Sequence, residues 1–231
     1  MARIIGGLVA VALLAVAVPS AWATPLPPGG TVSGSASGNV LPTYTGTVTA
    51  SVPFQNASFA FQSQSGENIG FVSSAVVKSA SGGLDFIYQV NVSLGRITGL
   101  AIGSFGNITT DVFQTSDNTN LHNTNQYFPG NVSVASYDRS SGTGNTIDVA
   151  FSGSGVGAEQ ASFLVIVHTN SSSYTLSQLK VTSMGQFLGI QTLAPVPEPA
   201  TILLWTVTLV GFAGFIGCRK LRRHKAVPSA G

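Results

Sequence analysis

Few side chains in this chain could do chemistry. Beyond its many hydroxyls and ten Lys and Arg side chains, the 231 residues offer eight carboxylates, three histidines and a single cysteine for proton transfer, metal binding or covalent catalysis. His122 stands in a polar stretch, His168 follows the apolar run FLVIV, and His224 lies among terminal basic residues, so no two have metal-ligand spacing. Cys218 sits in the last apolar stretch, and no GxSxG elbow, nucleophile-and-base pair or phosphate loop occurs. These residues argue for a protein that is not an enzyme and needs no cofactor. The densest set of oxygen donors is SDNTNLHNTNQ, in which Asp117, Asn118 and Asn120 are candidates for a calcium site. One carboxylate is little charge for a divalent cation, and asparagine-rich loops form Asx-turns as readily, so no metal is expected beyond these candidates.

The elements that would carry these residues read as strands. Leu84, Phe86, Tyr88, Val90, Val92 and Leu94 alternate with Asp85, Gln89, Asn91 and Ser93, which predicts a central strand with one face in the core. Weaker alternations occur at 58–62, 69–78, 97–102, 132–137, 146–151 and 179–184. Phe163 to Val167 is apolar throughout, as expected of a strand covered on both faces. No stretch between 40 and 190 has a helical period. Short strands separated by Gly, Asn and Ser clusters predict an all-β fold, an antiparallel β-sandwich of Ig-like or jelly-roll type over residues 40–190. Residues 24–39, rich in Pro, Gly and Ser, read as a flexible leader, and 191–195 as a linker.

Charge separates this body from the C-terminal tail. Between Thr24 and Pro195 stand four basic residues (Lys78, Arg96, Arg139, Lys180) and seven acidic ones (Glu67, Asp85, Asp111, Asp117, Asp138, Asp148, Glu159), a net charge of −3. The overall pI of 8.9 therefore belongs to the tail, which excludes a nucleic-acid footprint on the domain. Without cysteine, the body has no disulfide to depend on.

Both ends read as targeting segments. Arg3, an apolar run from Ile4 to Val18, and the small residues Ala21 and Ala23 form a signal peptide over 1–23, cut after Ala23 by signal peptidase. Ala200 to Cys218 (200–218) is apolar and would rise roughly 28 Å as a helix, enough to span a bilayer. Arg219, Lys220, Arg222, Arg223 and Lys225 come directly after it and would stay cytoplasmic, leaving the body outside. Residues 226–231 form a last short tail.

The order Val196-Pro197-Glu198-Pro199, an apolar helix and a basic cluster resembles the PEP-CTERM sorting signal over 196–225. That resemblance implies an exosortase as partner in a Gram-negative bacterium that makes extracellular polysaccharide. Val196, Pro197, Glu198 and Pro199 would be the recognised residues. The protein would pass the inner membrane, stay anchored by its helix until processed, and end on the outer surface or in the matrix. The function implied is a structural or adhesive component, with a carbohydrate- or calcium-binding module as the alternative. The stretch LDFIYQVNVS and the later ASFLVIVHTNSSSY also resemble the β-rich ectodomain of PEP-CTERM proteins. Thr43, Thr45, Thr47 and Thr49 project on one strand face like the ladder of ice-binding proteins, though one ladder is a small array and threonine is an ordinary solvent-face strand residue.

Overall fold

The computed structural model describes residues 23–34, 55–79, 82–116 and 127–196. The cleavage-site residue Ala21, the threonine ladder, Asp117, Asn118, Asn120, the motif from Pro197 onward, the expected span 200–218 and the basic cluster from Arg219 to Lys225 lie outside the described residues. The described part is all-β, with no helix, and its sheets are antiparallel.

The first sheet holds β1 (Thr24–Pro25), β3 (Gln55–Ser63), β4 (Gly66–Lys78), β5 (Leu84–Leu94), β8 (Thr110–Thr115), β12 (Gln160–Ala161) and β13 (Leu164–Thr169). Its order is β1-β8-β13-β5-β4-β3, with β12 also paired to β5. The second sheet holds β2 (Thr31–Ser33), β7 (Gly99–Ile102), β9 (Val134–Arg139), β10 (Ile147–Phe151), β14 (Tyr174–Ser183) and β15 (Gln186–Pro195), in the order β15-β14-β7-β10-β9-β2. A short pair, β6 (Arg96–Ile97) with β11 (Val156–Gly157), lies beside them.

One core joins the two sheets. Phe86, Tyr88, Val90 and Val92 of β5 meet Leu100 and Ile102 of β7, Val149 of β10 and Leu179 and Val181 of β14 in a single buried cluster. The other face of the first sheet carries a second cluster of Val77, Ile87, Phe113, Leu164 and Ile166, against which Ala23 and Tyr127 pack. β13 therefore sends Val165 and Val167 to one cluster and Leu164 and Ile166 to the other, which is why its apolar run has no polar positions.

Three expectations need correction. The stretch read as a flexible leader enters both sheets: Thr24 pairs with Val112, Thr31 with Asp138, and Leu26 is fully buried. A single large apolar side chain and the edge positions of two sheets are enough to order a Pro/Gly-rich segment. Residues 191–195 are not a linker but the last half of β15, with Leu193 and Ala194 in the interior. The polar face of β5 is not open to water, because Asp85 and Gln89 are buried as well. The chain at Phe128 crosses that face: its N–H donates to Gln89 Oε1 at 2.9 Å, and its carbonyl accepts from Gln89 Nε2 at 2.7 Å.

The β14–β15 hairpin closes through Met184 and Gly185, at φ 44° and 81°. Two successive left-handed residues match the twist of the flanking strands, and glycine occupies one of them without strain.

Candidate functional site

The only residue of the expected sorting motif among the described ones is Val196, at the exit of β15. Its N–H donates to the Ser173 carbonyl at 3.1 Å, and its own carbonyl accepts from Ser171 Oγ at 3.2 Å. Ser171 is 1% exposed; its hydroxyl is shared with the Ser173 carbonyl at 2.8 Å, and its N–H donates to Thr169 Oγ1 at 3.3 Å. The turn after β13 thus clasps the end of β15. Thr169 pairs with Thr110, whose carbonyl accepts from Leu26 N–H at 2.9 Å. Thr169 thus lies between Thr110, to which the N-terminal arm is bonded, and the turn that holds Val196.

Beside the entry stands a buried arginine that sequence reading counted only as a charge. Arg139, 5% exposed, donates through Nε to the Gly144 carbonyl and through Nη1 to the Leu26 carbonyl and Thr110 Oγ1. Its Nη2 donates to the carbonyls of Phe105 and Ile108, both at 2.7 Å. A guanidinium has five N–H donors, and here each has a neutral acceptor, so none is left for an anion. Burial lowers its pKa, yet an arginine stays charged. Gly144, at φ 65°, permits the close approach, since a side chain there would run into the guanidinium. Between the Pro25–Pro28 arm and residues 107–111 lies a groove of about 440 Å³, with Arg139 at its floor.

Asp111, on the rim of that groove, opens a row across three strands. Asp111 of β8, His168 of β13 and Asp85 of β5 are neighbours in register. His168 Nδ1 lies 2.5 Å from Asp85 Oδ1; the aspartate side chain is 2% exposed and the histidine 23%. The Asp85 hydrogen bond raises the histidine pKa, burial opposes it, and the charges of Asp85 and Asp111 raise it further. A histidine oriented by a buried carboxylate could move a proton. Among the described residues, however, the pair is not continued to a hydroxyl or thiol, so it lacks the nucleophile of an acyl-transfer triad. Eighty-three residues separate the two partners, and only strand register brings them together.

A third set faces outward on the second sheet. Lys180 of β14, Ala101 of β7, Asp148 of β10, Asp138 of β9 and Thr31 of β2 are successive neighbours in register. Thr31 Oγ1 donates to Asp138 at 2.6 Å. Partial burial and then Asp138 raise the pKa of Asp148, while Lys180 lowers it. Lys180 Nζ lies 4.8 Å from the ring centroid of Phe187, which is 62% exposed.

Of the cleavage residues, Ala23 is described and packs on the second cluster. Among the described residues no group of three or more His, Cys, Asp or Glu side chains is placed to hold a metal ion. No family model, curated protein or solved structure matches the chain.

Proposed function

We propose that this chain is an exported protein of a Gram-negative bacterium, cut by signal peptidase after Ala23 and sorted by an exosortase at Val196-Pro197-Glu198-Pro199. Its domain then serves as a non-enzymatic structural or adhesive component of the cell surface or extracellular polysaccharide matrix. One observation carries this reading: β15 ends at Pro195 with its last residues buried, so the motif beginning at Val196 follows the last folded strand directly. A motif so placed stands between the folded body and the apolar stretch from Ala200. The basic cluster after Cys218 would hold the tail inside, and the body would be anchored until processed. Six strands in the second sheet and repeated crossings between sheets favour a β-sandwich of jelly-roll over Ig-like type. Replacing Pro197, Glu198 and Pro199 with alanines and tracking size and location tests the sorting. Unaltered processing and export would refute it.

A second reading, a carbohydrate-binding module, is favoured by the exposed Phe187 beside Lys180, with Asp148 and Asp138 on the same outward face. Apolar ring faces with flanking charged and hydroxyl groups suit sugars. Loss of glycan-array binding in Phe187→Ala would support it, and an array with no signal for the parent would remove it. Calcium at Asp117, Asn118 and Asn120 would show as a calcium-dependent rise in melting temperature.

A further inference from the structure

β15 pairs with β14 along its whole length, from Gln186 opposite Ser183 to Pro195 opposite Tyr174. Its last residues are inside: Thr192, Leu193 and Ala194 are 1%, 2% and 0% exposed, and the Leu193 carbonyl accepts from Tyr88 Oη at 2.7 Å. Val196 is then held from both sides by Ser173 and Ser171. Only Pro197, Glu198 and Pro199 separate this residue from the apolar stretch at Ala200, a reach of at most about 14 Å.

A protease that reads a peptide in extended form takes main-chain hydrogen bonds on both sides of the recognised residues. Upstream of Pro197 those groups are already engaged by β14, Tyr88 and the Ser171–Ser173 turn. Downstream, on the sorting reading, the membrane begins. We propose that the fold withholds the chain just upstream of its own sorting motif, and that the processing protease acts on molecules in which the end of β15 has detached from Ser171, Ser173 and β14. Because β15 is the last strand of its sheet, detachment breaks the ladder to one neighbour only, and such strand ends open far below the cost of global unfolding. Ser171 and Ser173 thereby act as positioning residues that set the processing rate. This rests on the sorting reading above.

The test measures processing of the full-length chain by pulse-chase in a Gram-negative host with its exosortase. A Gly-Ser insertion of about six residues between Val196 and Pro197 leaves the fold intact and supplies free extended chain. It is expected to speed processing at least roughly fivefold. Ser171→Ala should speed it by about fivefold, because the single hydroxyl proton shared between the Ser173 and Val196 carbonyls is lost. Replacing Pro197, Glu198 and Pro199 with alanines should abolish processing in both backgrounds. If that triple replacement abolishes processing while the insertion leaves the parent rate unaltered, withholding is wrong and the motif is read without opening of the strand. If the triple replacement is processed like the parent, the sorting reading falls and withholding with it.

Discussion

Replacing Arg139 with methionine tests how the domain holds its N-terminal arm. The side chain keeps its volume, but five acceptors lose a donor: the carbonyls of Gly144, Leu26, Phe105 and Ile108 and the Thr110 hydroxyl. The Leu26 carbonyl still accepts from the Thr110 hydroxyl and the Phe105 carbonyl from Ile108 N–H, so the cost falls on Gly144 and Ile108. An orphaned buried acceptor costs about 1–3 kcal/mol, which sets an upper bound of about 2–6 kcal/mol for the two. Two effects reduce it. The charged guanidinium no longer has to leave water, and the groove of about 440 Å³ beside it can admit water to some of the carbonyls. A net loss of roughly 2–4 kcal/mol remains. At about 2–4 °C per kcal/mol for a domain of this size, the melting temperature should fall by roughly 4–16 °C. Arg139→Lys, with three donors in place of five, should fall between parent and methionine variant. Urea unfolding monitored by circular dichroism gives the free energies, and proteolysis within 25–30 should accelerate as Leu26 loosens. A methionine variant within about 1 kcal/mol of the parent would show that these bonds only replace equivalent ones to water.

Three further outcomes are expected. The folded-state pKa of His168 lies above its ordinary value of 6.5, so the stability it contributes is fully present below pH 6.5 and is lost as pH rises through the raised value; unfolding curves should show this slope in the parent and not in His168→Gln. Tyr88→Phe removes the donor to the buried Leu193 carbonyl and should cost about 1–2 kcal/mol, with faster amide exchange confined to β15 and its partner; uniform exchange changes would contradict that localisation. Met184→Asn places a residue tolerant of left-handed backbone in the β14–β15 turn and should stabilise by about 0.5–1 kcal/mol, read as a higher urea midpoint, because Met184 is exposed there and little packing would be lost.

How far the fold is legible depends on whether local pattern or long-range register decides. β5 runs from Leu84 to Leu94, the bounds its alternation predicts, because both its faces are packed and any slip would misplace every side chain. β8 does not stand out from Thr110 to Thr115, since one of its faces carries Asp111, Phe113 and Thr115, a mixed set that is buried only where neighbouring strands meet it. Arg139 and the pair His168–Asp85 leave no local signal at all. Arg139 is bonded to a carbonyl 113 positions away, and the histidine meets its carboxylate through the pairing of β13 with β5. Spacing rules see residues that share a helix or a loop; they do not see neighbours across a sheet.

β15 shows what such a blind spot costs a functional reading. Its sequence QFLGIQTLAP contains Gly189 and ends in Pro195, so breaker rules end the domain too early. The strand tolerates both because it is the edge of its sheet. Proline lacks an N–H and is excluded from central strands, but at Pro195 no further strand waits for that donor. The same edge position gives β15 one ladder instead of two, so it is both the strand that can carry a proline next to the motif and the one most easily peeled from it. On the proposed sorting reading, a paired strand at 191–195 in place of a linker ties processing to the stability of the β14–β15 hairpin, so a change at Tyr88 or Ser171, remote from Pro197-Glu198-Pro199 in sequence, should alter the processing rate.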